Sequence, residues 1–187
     1  AAGFRARGPA ERRPPVKTIL IGSVEIPIRS ALDCETSYEW LGGETILRTI
    51  GGAGIKQETW RRLRVTISGS GWIPPGLEGI DTSTQQVVSC IVPVAATCDG
   101  SRQATLPTTR RADSGYAPWA LALLPDASAV ETPVSFAGDV GTADAVAGAI
   151  GYQILYFPKI TAWVSRPGSS GDHAQAAYRW ELICEQV

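Results

Sequence analysis

The sequence predicts an all-β fold: a β-sandwich or barrel-like domain of short antiparallel strands behind an extended N-terminal arm. Three observations carry this. Apolar residues come in short runs, several alternating with polar ones; in Tyr178–Glu185, Tyr178, Trp180, Leu182 and Cys184 share one face. No long segment has the i, i+3, i+4, i+7 apolar spacing of an amphipathic helix, so helices should be few and short. Twenty glycines and thirteen prolines are scattered between the runs, where they act as turn signals.

Taken in order, residues 1–16 form an arm with Arg5, Arg7, Arg12 and Arg13, then Pro14 and Pro15, and little to bury beyond Phe4. Such a segment is expected to be polyproline-like and ordered only in an assembly. The globular domain begins at Lys17 and runs to Val187, with a possible division into two sub-sheets near 95–115. Thr18–Ile21 and Val24–Ile28 read as strands broken by Gly22-Ser23. Tyr38–Leu41 and Thr45–Ile50 flank Gly42-Gly43, which reads as a hairpin turn, and Gly51, Gly52 and Gly54 mark a loop.

Trp60–Ser68 alternates, with Leu63, Val65 and Ile67 on one face and Arg62, Arg64 and Thr66 on the other; Trp60 could instead end a helical turn starting near Lys56. Gly69–Leu77, with three glycines and two prolines, reads as an irregular loop. Further strands are expected at Gln86–Val94, Gln103–Leu106, Pro118–Leu124, Val130–Phe136, Ala143–Val146, Gly151–Phe157 and Ile160–Ser165. The total of about nine to eleven short strands is what a sandwich or barrel requires.

Residues that carry chemistry are sparse. His173, the sole histidine, lies in a Gly/Ser-rich loop beside Asp172, and a triad with Ser169 or Ser170 lacks the strand-turn-helix elbow that would hold it. No clustered His, Asp or Glu suggests a metal, and GGAG (51–54) and GSG (69–71) lack the strand-to-helix context of a phosphate cradle. The expectation is no enzyme, no catalytic residues, no cofactor and no metal. The four cysteines, Cys34, Cys90, Cys98 and Cys184, contain no CxxC pair and read as reduced thiols, mostly buried.

Formal net charge is −1, so nothing global favours nucleic acid. Residues 1–64 hold 11 basic residues against 7 acids, and the remainder holds 6 against 11. That polarity suits head-to-tail association of identical subunits. No apolar run reaches the roughly 18–20 residues that span a bilayer. Arginines without a following apolar stretch, and a chain without Met, fit removal of an initiator Met ahead of Ala1 and synthesis in a cytoplasm without export. The candidate interface residues are Arg5, Arg7, Arg12, Arg13, Arg62, Arg64, Trp72, Ile73, Pro74 and Pro75, because Trp and Arg dominate interface hot spots and the prolines stiffen the loop that presents Trp72. The competing expectations are that Trp72 lids the core, and that Arg62 and Arg64 pair with acids on an adjacent strand or subunit.

The stretch GGETILRTIGGAGIKQETWRRLRVTISGSGWIPPGLEGID (42–81), with AGAIGYQILYFP (147–158) and YRWELICEQV (178–187), resembles small virion proteins encoded among the structural genes of long-tailed bacteriophages. GYQILYF also resembles, weakly, a strand of fibronectin type III-like modules. The phage resemblance implies a virion component made in the host cytoplasm, which forms a homo-oligomeric ring or lattice and contacts other virion proteins. A tail or baseplate subunit of distal-tail type is the first expectation, a capsid decoration protein or head-to-tail connector the second. A carbohydrate- or cell-surface-binding module, with exposed aromatics stacking on sugars, is a third.

Overall fold

The computed structural model describes residues 18–172, 174 and 176–187. The fold is all-β and sandwich-like, with every strand pair antiparallel and only two single-turn 3-10 segments, at Ile28–Ser30 and Leu77–Gly79, among the described residues. The N-terminal arm, and with it Arg5, Arg7, Arg12 and Arg13, lies outside the described residues, as does His173.

Eight strands build the large sheet. Its order is β2 (Val24–Glu25), β1 (Leu20–Ile21), β5 (Gln86–Ser89), β13 (Lys159–Val164), β15 (Ala177–Gln186), β4 (Gly54–Gly71) and β3 (Asp33–Arg48), with β14 (Gly168–Asp172) on the first half of β15. Period-2 alternation puts Leu63, Val65 and Ile67 of β4, Trp180, Leu182 and Cys184 of β15, and Ile160, Ala162 and Val164 of β13 on one buried face. Ile19, Ile21, Ile26, Leu77, Ile80, Val88 and Cys90 complete that core. Each such aliphatic side chain contributes roughly 1.5–3 kcal/mol by leaving water.

β5 and β13 pair directly, Ser89 opposite Lys159, so residues 90–158 form an excursion from the large sheet. The excursion is a smaller sandwich. One layer is β6 (Val94–Thr97), β12 (Gly151–Tyr156), β8 (Trp119–Leu123) and β9 (Ala129–Thr132); the other is β10 (Val134–Ala137), β11 (Val140–Ala143) and β7 (Gln103–Thr105). Its core gathers Ala104, Leu106, Ala120, Ala143, Ile154 and Tyr156.

Several strand expectations need correction. Val130–Phe136 is two strands in two sheets, because Pro133 between them has no N–H to continue a ladder. Gln86–Val94 also divides, its first half in the large sheet and its end opening the small sandwich. The strand expected at Ala143–Val146 lies at Val140–Ala143. Gly69–Gly71 is not loop: these residues finish β4, Gly69 and Ser70 paired with both β3 and β15 and Gly71 with β15.

One buried cation joins the two cores. Arg111 is 2% exposed. Its Nη1 donates to the carbonyls of Thr18 (3.2 Å), Ser89 (3.3 Å) and Cys90 (3.0 Å), and its Nε and Nη2 reach Asp113 Oδ2 at 2.8 and 2.7 Å. The guanidinium stacks 3.4 Å from the centroid of Tyr116, whose ring meets Phe157 edge-on at 5.1 Å. Tyr116 Oη in turn accepts from Thr18 N–H at 2.7 Å. Arg111→Ala leaves the Cys90 and Ser89 carbonyls buried without this donor and opens a gap beside Tyr116, and is expected to cost roughly 3–5 kcal/mol in urea denaturation. A loss under about 1 kcal/mol would show that the junction tolerates its absence.

All four cysteines are free thiols; Cys90 and Cys184 are buried, Cys34 and Cys98 half-buried. Burial pushes Cys90 up to about 11 and Cys184 up to about 12, from an ordinary 9.0. Burial likewise raises Tyr38, whose O–H donates to Val92 O at 2.6 Å. In the unfolded chain these thiols lose protons near pH 9, while in the folded chain they hold them higher. Their contribution is therefore complete below about pH 9 and is lost as pH rises through about 12. Urea midpoints should fall across that window, and less steeply in Cys184→Ala; an equal fall in the variant would remove Cys184 as a cause.

Candidate interaction surface

β4 has eighteen residues and β3 sixteen, and they pair along nearly their whole length. Their roots belong to the large sheet, but β15 accompanies β4 only as far as the Glu185–Arg64 pair. From Glu44 to Arg62 every residue is exposed, so neither face of this distal ribbon has a layer packed on it. At a rise of about 3.3 Å per residue, the nine steps from Leu63 to Gly54 carry the tip about 30 Å beyond the last core side chain.

The local sequence accounts for this shape. Gly42-Gly43, expected to be a turn, is mid-strand. Pairing shifts there so that Thr59 and Trp60 of β4 together face Gly43, a β-bulge. Gly43 serves close approach rather than chain reversal: a Cβ would stand 2.5 Å from Trp60 Nε1 and from Thr59 Oγ1. Thr59 Oγ1 donates to Gly43 O at 2.9 Å and holds the bulge. Lys56–Trp60 is strand, with no helical turn. Chain reversal occurs at 50–52, where Thr49 N–H donates to Ala53 O (3.0 Å), Gly52 N–H donates to Thr49 O (2.9 Å) and Gly52 takes φ +81°. This is the three-residue hairpin loop that ends in a left-handed residue.

The ribbon is apolar for an exposed element. Ile46, Leu47 and Ile55 are each more than half exposed, and Ile50 at the tip is fully so. Charged residues alternate with them: Lys56 Nζ contacts Glu44 Oε2 at 2.6 Å, and Arg61 stacks 3.9 Å from the Trp40 ring. These side chains, with Leu41, Gly42 and Glu58, line an open hollow beside the bulge. Lys56 holds the Glu44 carboxyl below its ordinary range, the opposite of what a general acid requires. Among the described residues no three His, Cys, Asp or Glu side chains cluster as a metal site would need, and no helix is long and apolar enough to cross a membrane.

The residues singled out from sequence fall at different places. Arg64 is engaged within the chain, with Glu185 Oε1 at 2.7 Å and Glu39 Oε2 at 3.2 Å on the two flanking strands. Arg62 is exposed at the start of the free ribbon, and its Nη1 donates to Arg61 O at 3.0 Å. Trp72 is 67% exposed at the opposite end of β4 and does not lid the core; its N–H donates to Arg29 O at 2.9 Å. Ile73 and Pro74 are exposed beside it, while Pro75 and Leu77 turn inward. Ile28 and Leu32, both over half exposed, flank the same end. Two apolar surfaces thus sit at the two ends of one strand, roughly 55 Å apart.

Sequence reasoning missed the tip residues Ile46, Leu47, Ile50 and Ile55. Ile46 and Leu47 are consecutive and lie on opposite faces of β3, so the stretch carries no period-2 trace of a buried face, and only the tertiary structure shows that no layer covers either one. Comparison with known protein families, curated proteins and solved structures finds no match.

Trp72→Ala should change fold stability by less than about 0.5 kcal/mol, as expected for an exposed side chain. A loss of about 3 kcal/mol in thermal or urea denaturation would mean that the indole is part of the core after all.

Proposed function

We propose that this chain is a structural subunit that assembles through contacts with copies of itself and with other proteins, without catalysis. The observation that carries this is the free distal ribbon of β3 and β4. A two-stranded hairpin is at best marginally stable in water, and this one adds exposed Ile46, Leu47, Ile50 and Ile55 to that cost. A third strand or an apposed face from a partner relieves both. The apolar residues around Trp72 at the far end of β4 supply a second contact region, and two contact regions per subunit are the minimum for a ring or lattice.

The resemblance of residues 42–81 to bacteriophage virion proteins points to a tail or baseplate subunit, with capsid decoration or a head-to-tail connector as the alternatives. The sugar-binding alternative would use Trp60 and Trp72, 50% and 67% exposed, rather than Trp40, one face of which Arg61 covers.

Replacing residues 44–58 by an Asn-Gly turn should leave the body folded, with its melting transition intact, and abolish self-association in sedimentation experiments. A truncated chain that assembles as well as the full one would sink the reading.

A further inference from the structure

Resting on the self-assembly reading, we propose that the distal ribbons of successive copies join edge to edge, β3 of one copy against β4 of the next, antiparallel and head to tail. The hydrogen-bond phase of the hairpin identifies the groups concerned. Thr49 N–H donates to Ala53 O, so alternation turns the main-chain groups of Leu47 and Thr45 toward β4, and those of Arg48, Ile46 and Glu44 toward the open side of β3. By the same alternation Gly54, Lys56 and Glu58 face the open side of β4. Among the described residues β3 is the last strand of its sheet, and β4 has no outer neighbour beyond Arg64. Each copy therefore presents two unpaired rows of N–H and C=O groups, matched in length and on opposite edges.

A second copy is the occupant that fits both rows. Ribbons pointing the same way set an upward β3 beside a downward β4, the antiparallel relation already made within each chain. β4 is also the strand whose fit to β3 is on view: Glu44 to Arg48 lie opposite Glu58 to Gly54, with Lys56 reaching diagonally to Glu44. The next copy's β4 offers the same side chains, including a lysine for Glu44. Pairing of β3 with β3 would leave every distal β4 edge open, whereas head-to-tail pairing closed into a ring covers both edges of every distal ribbon.

Proline substitution on the outward positions tests this. Ile46→Pro removes an N–H from the open edge of β3 and none from the hairpin ladder; Lys56→Pro does the same on β4. Ile46→Thr keeps the N–H while removing the apolar side chain. The expected result by sedimentation, at concentrations where the full-length chain assembles, is that each proline variant is monomeric alone, that Ile46→Thr still assembles, and that an equimolar mixture of the two proline variants gives a discrete heterodimer. Only one unblocked β3 and one unblocked β4 meet in that mixture, and the heterodimer itself shows that both hairpins remain folded. A mixture that stays monomeric overturns head-to-tail pairing. Lys56→Pro dimerising alone overturns it in favour of β3–β3 contact. Both proline variants assembling like the unmodified chain would mean that side chains, not edges, make the contact, leaving the self-assembly reading intact. A monomeric unmodified chain would end that reading and this one together.

Discussion

The buried guanidinium of Arg111 is the interaction on which the rest of the architecture depends. Between Ser89 and Lys159 the chain leaves the large sheet, builds a second sandwich and returns. Departure and return must be held side by side, or β5 and β13 cannot pair. Arg111 does this from the excursion itself, binding the carbonyls of Ser89 and Cys90 on the departing strand and of Thr18 before β1. Main-chain bonds reinforce it: Arg111 N–H to Phe157 O (2.8 Å), Cys90 N–H to Pro158 O (3.0 Å) and Lys159 N–H to Thr109 O (2.8 Å). A planar fork of fixed donors suits this task, since it can satisfy several carbonyls that an apolar residue would leave unpaired.

That junction matters beyond its own stability because the ribbon is a cantilever. The residues that anchor it, Leu63, Val65 and Ile67, take their rigidity from β15 and β13, and β13 is placed by its pairing with β5. Tyr38 ties the root of β3 to Val92, where the chain crosses into the small sandwich. Trp180 Nε1 donates to Ser30 O at 2.6 Å and fixes the other end of β4. Both candidate contact regions, the tip and the Trp72 end, are thus held at a fixed separation by one packed core. The self-assembly proposed above requires that property, since every copy must repeat the same geometry.

Much of the body was legible because burial on one face leaves a period-2 trace. β15 and the root of β4 were each recognisable from apolar residues at alternate positions, and Cys184 and Leu182 were correctly paired on one face. Glycine was misread where its role is contact rather than turning: Gly42-Gly43 looked like a reversal, but Gly43 makes room for an indole. The break at Pro133 and the departure after Ser89 divided strands that local composition runs together.

By itself the sequence determined the all-β class and the inward faces of its alternating strands, because these follow from local side-chain spacing and from the conformational limits of Gly and Pro. Only the tertiary structure decided that residues 90–158 form a separate sandwich, that Arg111 is buried, and that β3 and β4 outrun their sheet. The physical reason is the same in each case. Whether an alternating strand is covered on a face, or paired on an edge, depends on residues far away in the chain. Ile46-Leu47 and Ile55 are strand-type apolar residues, and nothing in their own neighbourhood of the sequence shows that no layer of the described chain covers them.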